Sequence, residues 1–213
     1  MCGVKPILFT TEMVRAILEG RKTVTRRLVK PQPLSVVNTL YRKDGTNIWR
    51  THGADCWYEF RAPCVPGDIL WVRETWSQVY IRQKRYLYKA DADRGVGEGA
   101  NLPIRWHPSI HMPQEAARVF LRVTDVRVER LQEITGEQVG AEGPPKAFEY
   151  NTPDGTVITL DEDGYSYHGF KAVWNSTIKA KDLPDYGWDA NPWVWVIEFE
   201  RINKDEAIGR CAE

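Results

Sequence analysis

The segment NPWVWVIEFERI, residues 191–202, constrains the fold more than any other stretch of the chain. Trp193, Trp195, Ile197 and Phe199 fall on one side of a period-two alternation, which is the spacing of a β-strand and not of a helix. VFLRVTDVRVERL, residues 119–131, alternates in the same way, with Val119, Leu121 and Val123 on one face. A third strand, ILWVRETW, starts just after the Pro66-Gly67 turn. It sets Ile69, Trp71 and Arg73 on one face and Leu70, Val72 and Glu74 on the other. QVYIR (78–82) and RYLYKA (85–90) read as further strands, and Asp44-Gly45 separates two extended runs in a hairpin pattern.

Helices are fewer. In KPILFTTEMVRAILEGRKT, Thr10 or Thr11 can cap a helix over 11–19 whose buried stripe is Met13, Val14, Ile17 and Leu18, with Gly20 as its stop. Thr135 with Gln138 has the spacing of a capping box, and Gly143 ends the short helix it opens. FKAVWNSTIKA returns to the helical period with Phe170, Val173, Trp174 and Ile178 on one stripe. Residues 22–29 read as an extended arm before Pro31 and Pro33. The strands occur singly or in antiparallel-looking pairs without a βαβ rhythm. The expectation is therefore one α+β domain over 1–213: a curved, barrel-like sheet with about three packed helices and insertions near 34–57, 91–117 and 144–168. Both halves of such a sheet need the C-terminal strand.

Lys and Arg total 29, as do Asp and Glu. A net charge near zero argues against a protein that coats long duplexes and mildly favours a small nucleoside ligand. Cys2, Cys56, Cys64 and Cys211 form no Cys-x-x-Cys pair and read as thiols of a reducing compartment, with no zinc site. No apolar run approaches the roughly 18 residues of a membrane span. Pro6 and Glu12 interrupt any signal-peptide core, so the expected location is cytoplasmic, with no membrane partner. Nine Trp and nine Tyr are ring-rich for this length; most fill a core, and some are available to stack a base.

Three residues stand out for chemistry. Glu74 ends an apolar strand face beside Trp71 and Trp76, and a carboxylate there is either just past the buried edge or inside and in need of a partner. Lys22 and Thr25 follow the first helix in GRKTVTRR. In a regular strand they point to opposite faces, so a bend after Gly20 is required to bring both into one pocket. The bland alternative is a basic helix end complementing the helix dipole. His107 and His111 have metal-pair spacing, but Pro108 and Pro113 bracket them and no metal or cofactor is expected.

GRKTVTRR resembles the signature of the ASCH domains, which share the fold of PUA-like β-barrels. Their Gly-x-Lys-x-x-Glu-x-Arg pattern falls on Gly20, Lys22, Thr25 and Arg27, with Thr in place of the usual Glu. That replacement resembles the branch that acts as N(4)-acetylcytidine amidohydrolase. PGDILWVRETW, WHPSIHMP, RVTDVRVERLQEIT and the C-terminal NPWVWVIEFE extend the likeness to a longer, phage- and prophage-associated subgroup. The resemblance implies Lys22, Thr25 and Glu74 as catalytic residues. Thr25 attacks or orients water, Lys22 stabilises the oxyanion or deprotonates Thr25, and Glu74 carries the proton to the leaving amine. Arg26, Arg27, Trp76, Trp106 and Trp71 are the candidate substrate contacts; Trp71 sits on the opposite strand face from Glu74, which counts against it. The partner is a small nucleoside or modified base on a monomeric protein. The rival reading is a non-catalytic PUA-like module binding nucleotide or RNA.

Overall fold

A computed structural model describes residues 4–33, 41–42, 48–52, 57–81, 83–92, 104–143 and 167–209. In chain order the elements are β1 (Val4–Leu8), α1 (Thr11–Leu18), β2 (Val24–Leu28), β3 (Tyr41–Arg42), β4 (Ile48–His52), β5 (Trp57–Arg61), β6 (Ile69–Arg73), β7 (Trp76–Ile81) and β8 (Gln83–Tyr88). There follow α2 (Lys89–Ala92), β9 (Phe120–Arg130), α3 (Gly136–Ala141), α4 (Tyr167–Ser176), α5 (Leu183–Tyr186), β10 (Trp193–Ile202) and α6 (Lys204–Gly209). The protein is α+β.

A five-stranded sheet takes the order β1-β6-β9-β10-β2. The β1–β6 pair is parallel, whereas β6–β9 and β10–β2 are antiparallel. Among the described residues this sheet has β1 and β2 as its edges and does not close into a barrel. A three-stranded sheet β3-β4-β5 and the hairpin β7-β8 complete the strands.

The chain divides into two compact units. The first comprises Met1–Gly20, Gly67–Arg122 and Glu200–Glu213. Ile69, Trp71, Trp76, Met112, Phe120 and Ile202 form a core cluster there. The second comprises Arg21–Pro66 and Val123–Phe199. Its core joins Val24, Val194 and Val196 of the sheet to Leu131, Ile134, Val139, Phe170 and Trp174. Strands β9 and β10 each supply residues to both units.

Local chemistry accounts for the anticipated helices. The Thr10 side chain accepts from the Met13 amide to open α1, and Gly20 takes φ 76° just beyond its end. That left-handed turn is cheap for glycine and costs other residues roughly 1–2 kcal/mol. Thr135 and Gln138 form the full capping box of α3, and Gly143 follows its end at φ 67°. Helix α4 buries Phe170 and Trp174, but it stops at Ser176, so Ile178 packs from beyond the helix. About three helices were expected, and the described residues contain six; α2, α5 and α6 are too short to show a hydrophobic period. The described part of 91–117 is shared between the end of α2, the 3-10 turns at Ser109–His111 and Gln114–Ala116, and irregular chain. The Asp44-Gly45 turn and most of the three supposed insertions lie outside the described residues. So do Cys2, Cys56 and Cys211, whereas Cys64 is buried.

Ending the chain at Arg118 removes β9 and β10, the partners of β6 and β2. The fragment is expected to show no dispersed amide resonances; a folded spectrum would contradict this dependence. Leu131→Ala should cost about 2–5 kcal/mol in urea unfolding, because Leu131 is wholly buried in the second core.

Candidate functional site

In the second unit the chain leaving Gly20 runs extended into β2. Lys22 forms an antiparallel bridge to Glu142, the Thr23 amide bonds the Ala141 carbonyl at 2.9 Å, and the Phe199 amide bonds the Thr23 carbonyl at 2.9 Å. Lys22 is 2% exposed. Its Nζ donates to the Val24 carbonyl (2.8 Å), the Glu142 carbonyl (3.0 Å) and Glu142 Oε2 (2.5 Å). The other oxygen of that carboxylate, Oε1, accepts from Arg26 at 3.2 Å. Arg26 also reaches Gln138 Oε1 at 2.8 Å and Glu129 at 3.4 Å.

Glu142 thus bridges two buried cations of the motif strand. Burial pushes the Lys22 ammonium below its ordinary value of 10.5, and the Glu142 carboxylate opposes that fall. The ladder of charge continues outward through Arg127, which binds Glu129, Asp125 at 3.1 Å and Glu198 at 2.5 Å. Half-buried Arg27 lies opposite Trp195, and its guanidinium donates to the Arg26 carbonyl at 3.5 Å.

Thr25 is buried and lies opposite Ile197 of β10. Strand alternation puts it on the face away from Val24 and Arg26. The motif strand therefore brings Lys22 and Arg26 together through Glu142 and leaves Thr25 on its other face. A cavity of about 360 Å³ opens beside the network, lined by Thr23, Val24, Thr124, Gln138, Glu198 and Phe199, with Glu137 and Ala141 at its α3 side. This volume lies within the range of small-ligand sites.

Glu74 belongs to the first unit, just beyond β6, and is 1% exposed. Both its oxygens are taken by Arg118, Nε to Oε1 at 2.9 Å and a terminal nitrogen to Oε2 at 3.0 Å. Its amide donates to Met112 Sδ at 3.2 Å. Arg118 also clasps Asp91 of α2 at 2.5 and 3.3 Å, and it lies 3.9 Å over the Tyr88 ring. Burial raises the Glu74 carboxyl above its ordinary 4.5; Arg118 pulls it back and Asp91 adds to the rise. The Tyr88 hydroxyl, which donates to the Ala116 carbonyl at 2.7 Å, is pushed up to about 12 by burial, with Arg118 opposing.

The candidate stacking rings divide by exposure. Trp71 is buried, with Arg73 at 5.2 Å over its ring. Trp76 is buried against His107 (5.1 Å) and Tyr86 (5.8 Å), and its backbone bridges to His107. Trp106 is half-buried. Among the described residues no cluster of His, Cys, Asp and Glu is arranged to hold a metal ion, and no helix is long and apolar enough to cross a membrane.

Glu142 and Arg118 were not singled out from the sequence. Glu142 carried one readable signal: it caps the C-terminus of α3, where helix polarity favours a cation, so another partner was implied. Arg118 carried none. No family model, no curated protein and no solved structure matches this chain.

Glu142→Ala leaves two buried cations without their shared carboxylate, and a loss of about 3–5 kcal/mol is expected in urea unfolding; a loss below about 1 kcal/mol would contradict the pairing. For Lys22 the sign of the pH effect follows from its lowered value. The fold holds that proton less tightly than the unfolded chain does, so stability rises as pH climbs from the folded value toward 10.5. Lys22→Met should lose this rise, as read from urea midpoints at about pH 8 and about pH 10.

Proposed function

We propose that this chain is an ASCH-type protein of the PUA-like class that removes an acyl group, acetyl in the simplest case, from the exocyclic amine of a modified cytidine-type nucleoside. The observation that carries the reading is the motif lysine. Lys22 is an ammonium withdrawn from solvent and supported by a carboxylate, and the two residues that follow it, Thr23 and Val24, line a ligand-sized cavity. A fixed positive charge in a dry setting is what a developing oxyanion needs. Few buried lysines are retained without such a partner.

In this reading Lys22 stabilises the oxyanion and Glu74 accepts the proton and returns it to the departing amine, while for Thr25, on the other face of the motif strand, the role of supplying its hydroxyl or orienting water rests on the ASCH resemblance alone. Water attacks the acyl carbon, the C–N bond breaks, and the products are the free carboxylic acid and the unmodified nucleoside. Burial gives Glu74 a proton affinity above that of an exposed carboxylate, which suits a group that must take up and release a proton near neutrality.

A second reading, a non-catalytic module that holds a nucleotide or an RNA end, is favoured by a specific observation. Lys22 and Glu74 both sit in closed ion pairs, the geometry of structural anchors. The two readings separate in a single assay. Incubation with N(4)-acetylcytidine is expected to yield cytidine and acetate, and Lys22→Ala or Glu74→Ala should lower the rate about 10²–10⁴-fold. Undiminished turnover by purified Glu74→Ala would remove the hydrolytic scheme. Salt-sensitive RNA binding without acetate release would establish the module instead.

A further inference from the structure

Arg118 is an unusual arginine for one with a quarter of its side chain exposed. It spends its donors on two carboxylates at once. Toward Glu74 it presents Nε and a terminal nitrogen, the paired-fork geometry that fixes a carboxylate's plane as well as its position. Toward Asp91 it presents both terminal nitrogens. Its own plane is held by the Tyr88 ring beneath it. The antiparallel β6–β9 pairing, extended by the Val72–Val119 backbone bond at 2.9 Å, delivers the residues beside Glu74 and Arg118 to one another.

Asp91 is positioned in turn from outside: Arg15 of α1 donates to the Ala90 carbonyl at 3.0 Å and so fixes the short helix that carries it. Among the described residues the charged and titratable groups facing Glu74 are therefore Arg118 just before β9, Asp91 from α2 and Tyr88 from β8, with Tyr86 acting on Tyr88.

We propose that Arg118 is the positioning residue for Glu74, aiming its carboxylate through the two-pronged contact, and that Asp91 is the counterweight that governs how firmly Arg118 holds it. The proposal rests on the reading of Glu74 as the proton carrier. One guanidinium between two carboxylates leaves the cluster one negative charge in excess, with the buried member on one side and the solvent-reaching member on the other. Arg118 favours the anionic form of Glu74 and Asp91 disfavours it, so removing each must move the proton affinity of Glu74 in opposite directions.

The test is a carbon-13 carboxyl NMR titration of the intact protein, with the Glu74 resonance assigned by its loss in Glu74→Gln. It is run beside the pH dependence of kcat/KM on N(4)-acetylcytidine. Arg118→Gln is expected to raise the proton affinity of Glu74 about ten-fold or more and to move the acid limb of the profile upward. Asp91→Asn is expected to lower that affinity and move the limb downward. Should Arg118→Gln fail to fold, Arg118→Lys takes its place: it keeps the charge, loses the fork, and should lower kcat with KM little changed. Shifts of the same sign, or none in either variant, overturn the proposal. A wild-type protein that releases no acetate removes the hydrolase reading, whereas the titration alone still decides whether Arg118 and Asp91 control Glu74.

Discussion

The buried carboxylate of Glu142 is the interaction on which the second unit turns. It closes a bridge between the extended chain at Lys22 and the end of α3, and its two oxygens serve two cations of one strand. Without it, two positive side chains would stand in an apolar setting beside Val24, Val194 and Val196. The desolvation of each such charge is worth several kcal/mol, so these cations are tenable only because the partner is fixed in place. The capping box of α3 does part of that fixing. Gln138 both accepts from the Thr135 amide and receives a hydrogen bond from Arg26, so the start of the helix and the motif strand share one side chain.

The first unit repeats the arrangement with the signs exchanged. There the buried group is a carboxylate, Glu74, and the partner is a cation from the segment just before β9. In both places a charged residue beside an apolar strand is retained by one counter-ion and a second, more exposed charge behind it: Glu129 behind Arg26, and Asp91 behind Arg118. Such arrangements contribute little net stability compared with apolar packing. Their presence at the positions that the ASCH resemblance singles out is what makes a functional reading worth testing over a purely structural one.

What could be read from sequence followed the range of the forces involved. The start and stop of α1, the capping box of α3 and the alternation of β6, β9 and β10 are set by residues within a few positions of one another. All of these were legible. The requirement that a buried Glu74 have a partner was legible too, but its identity was not, because Arg118 lies 44 positions away and is joined through strand pairing. Glu142 is 120 positions from Lys22. The bend thought necessary to unite Lys22 and Thr25 is also informative. The chain stays extended there, so period-two alternation separates the two side chains and gives Lys22 the company of Arg26 instead.

Lysine-selective nitrogen-15 NMR of the Nζ groups, with and without N(4)-acetylcytidine, tests the central claim most directly. Lys22 is expected to give a slowly exchanging ammonium signal that titrates below the ordinary lysine value and responds to the nucleoside ahead of the surface lysines. A Lys22 signal that exchanges and titrates like an exposed lysine, and ignores the nucleoside, would contradict both its buried pairing and its place in a binding site.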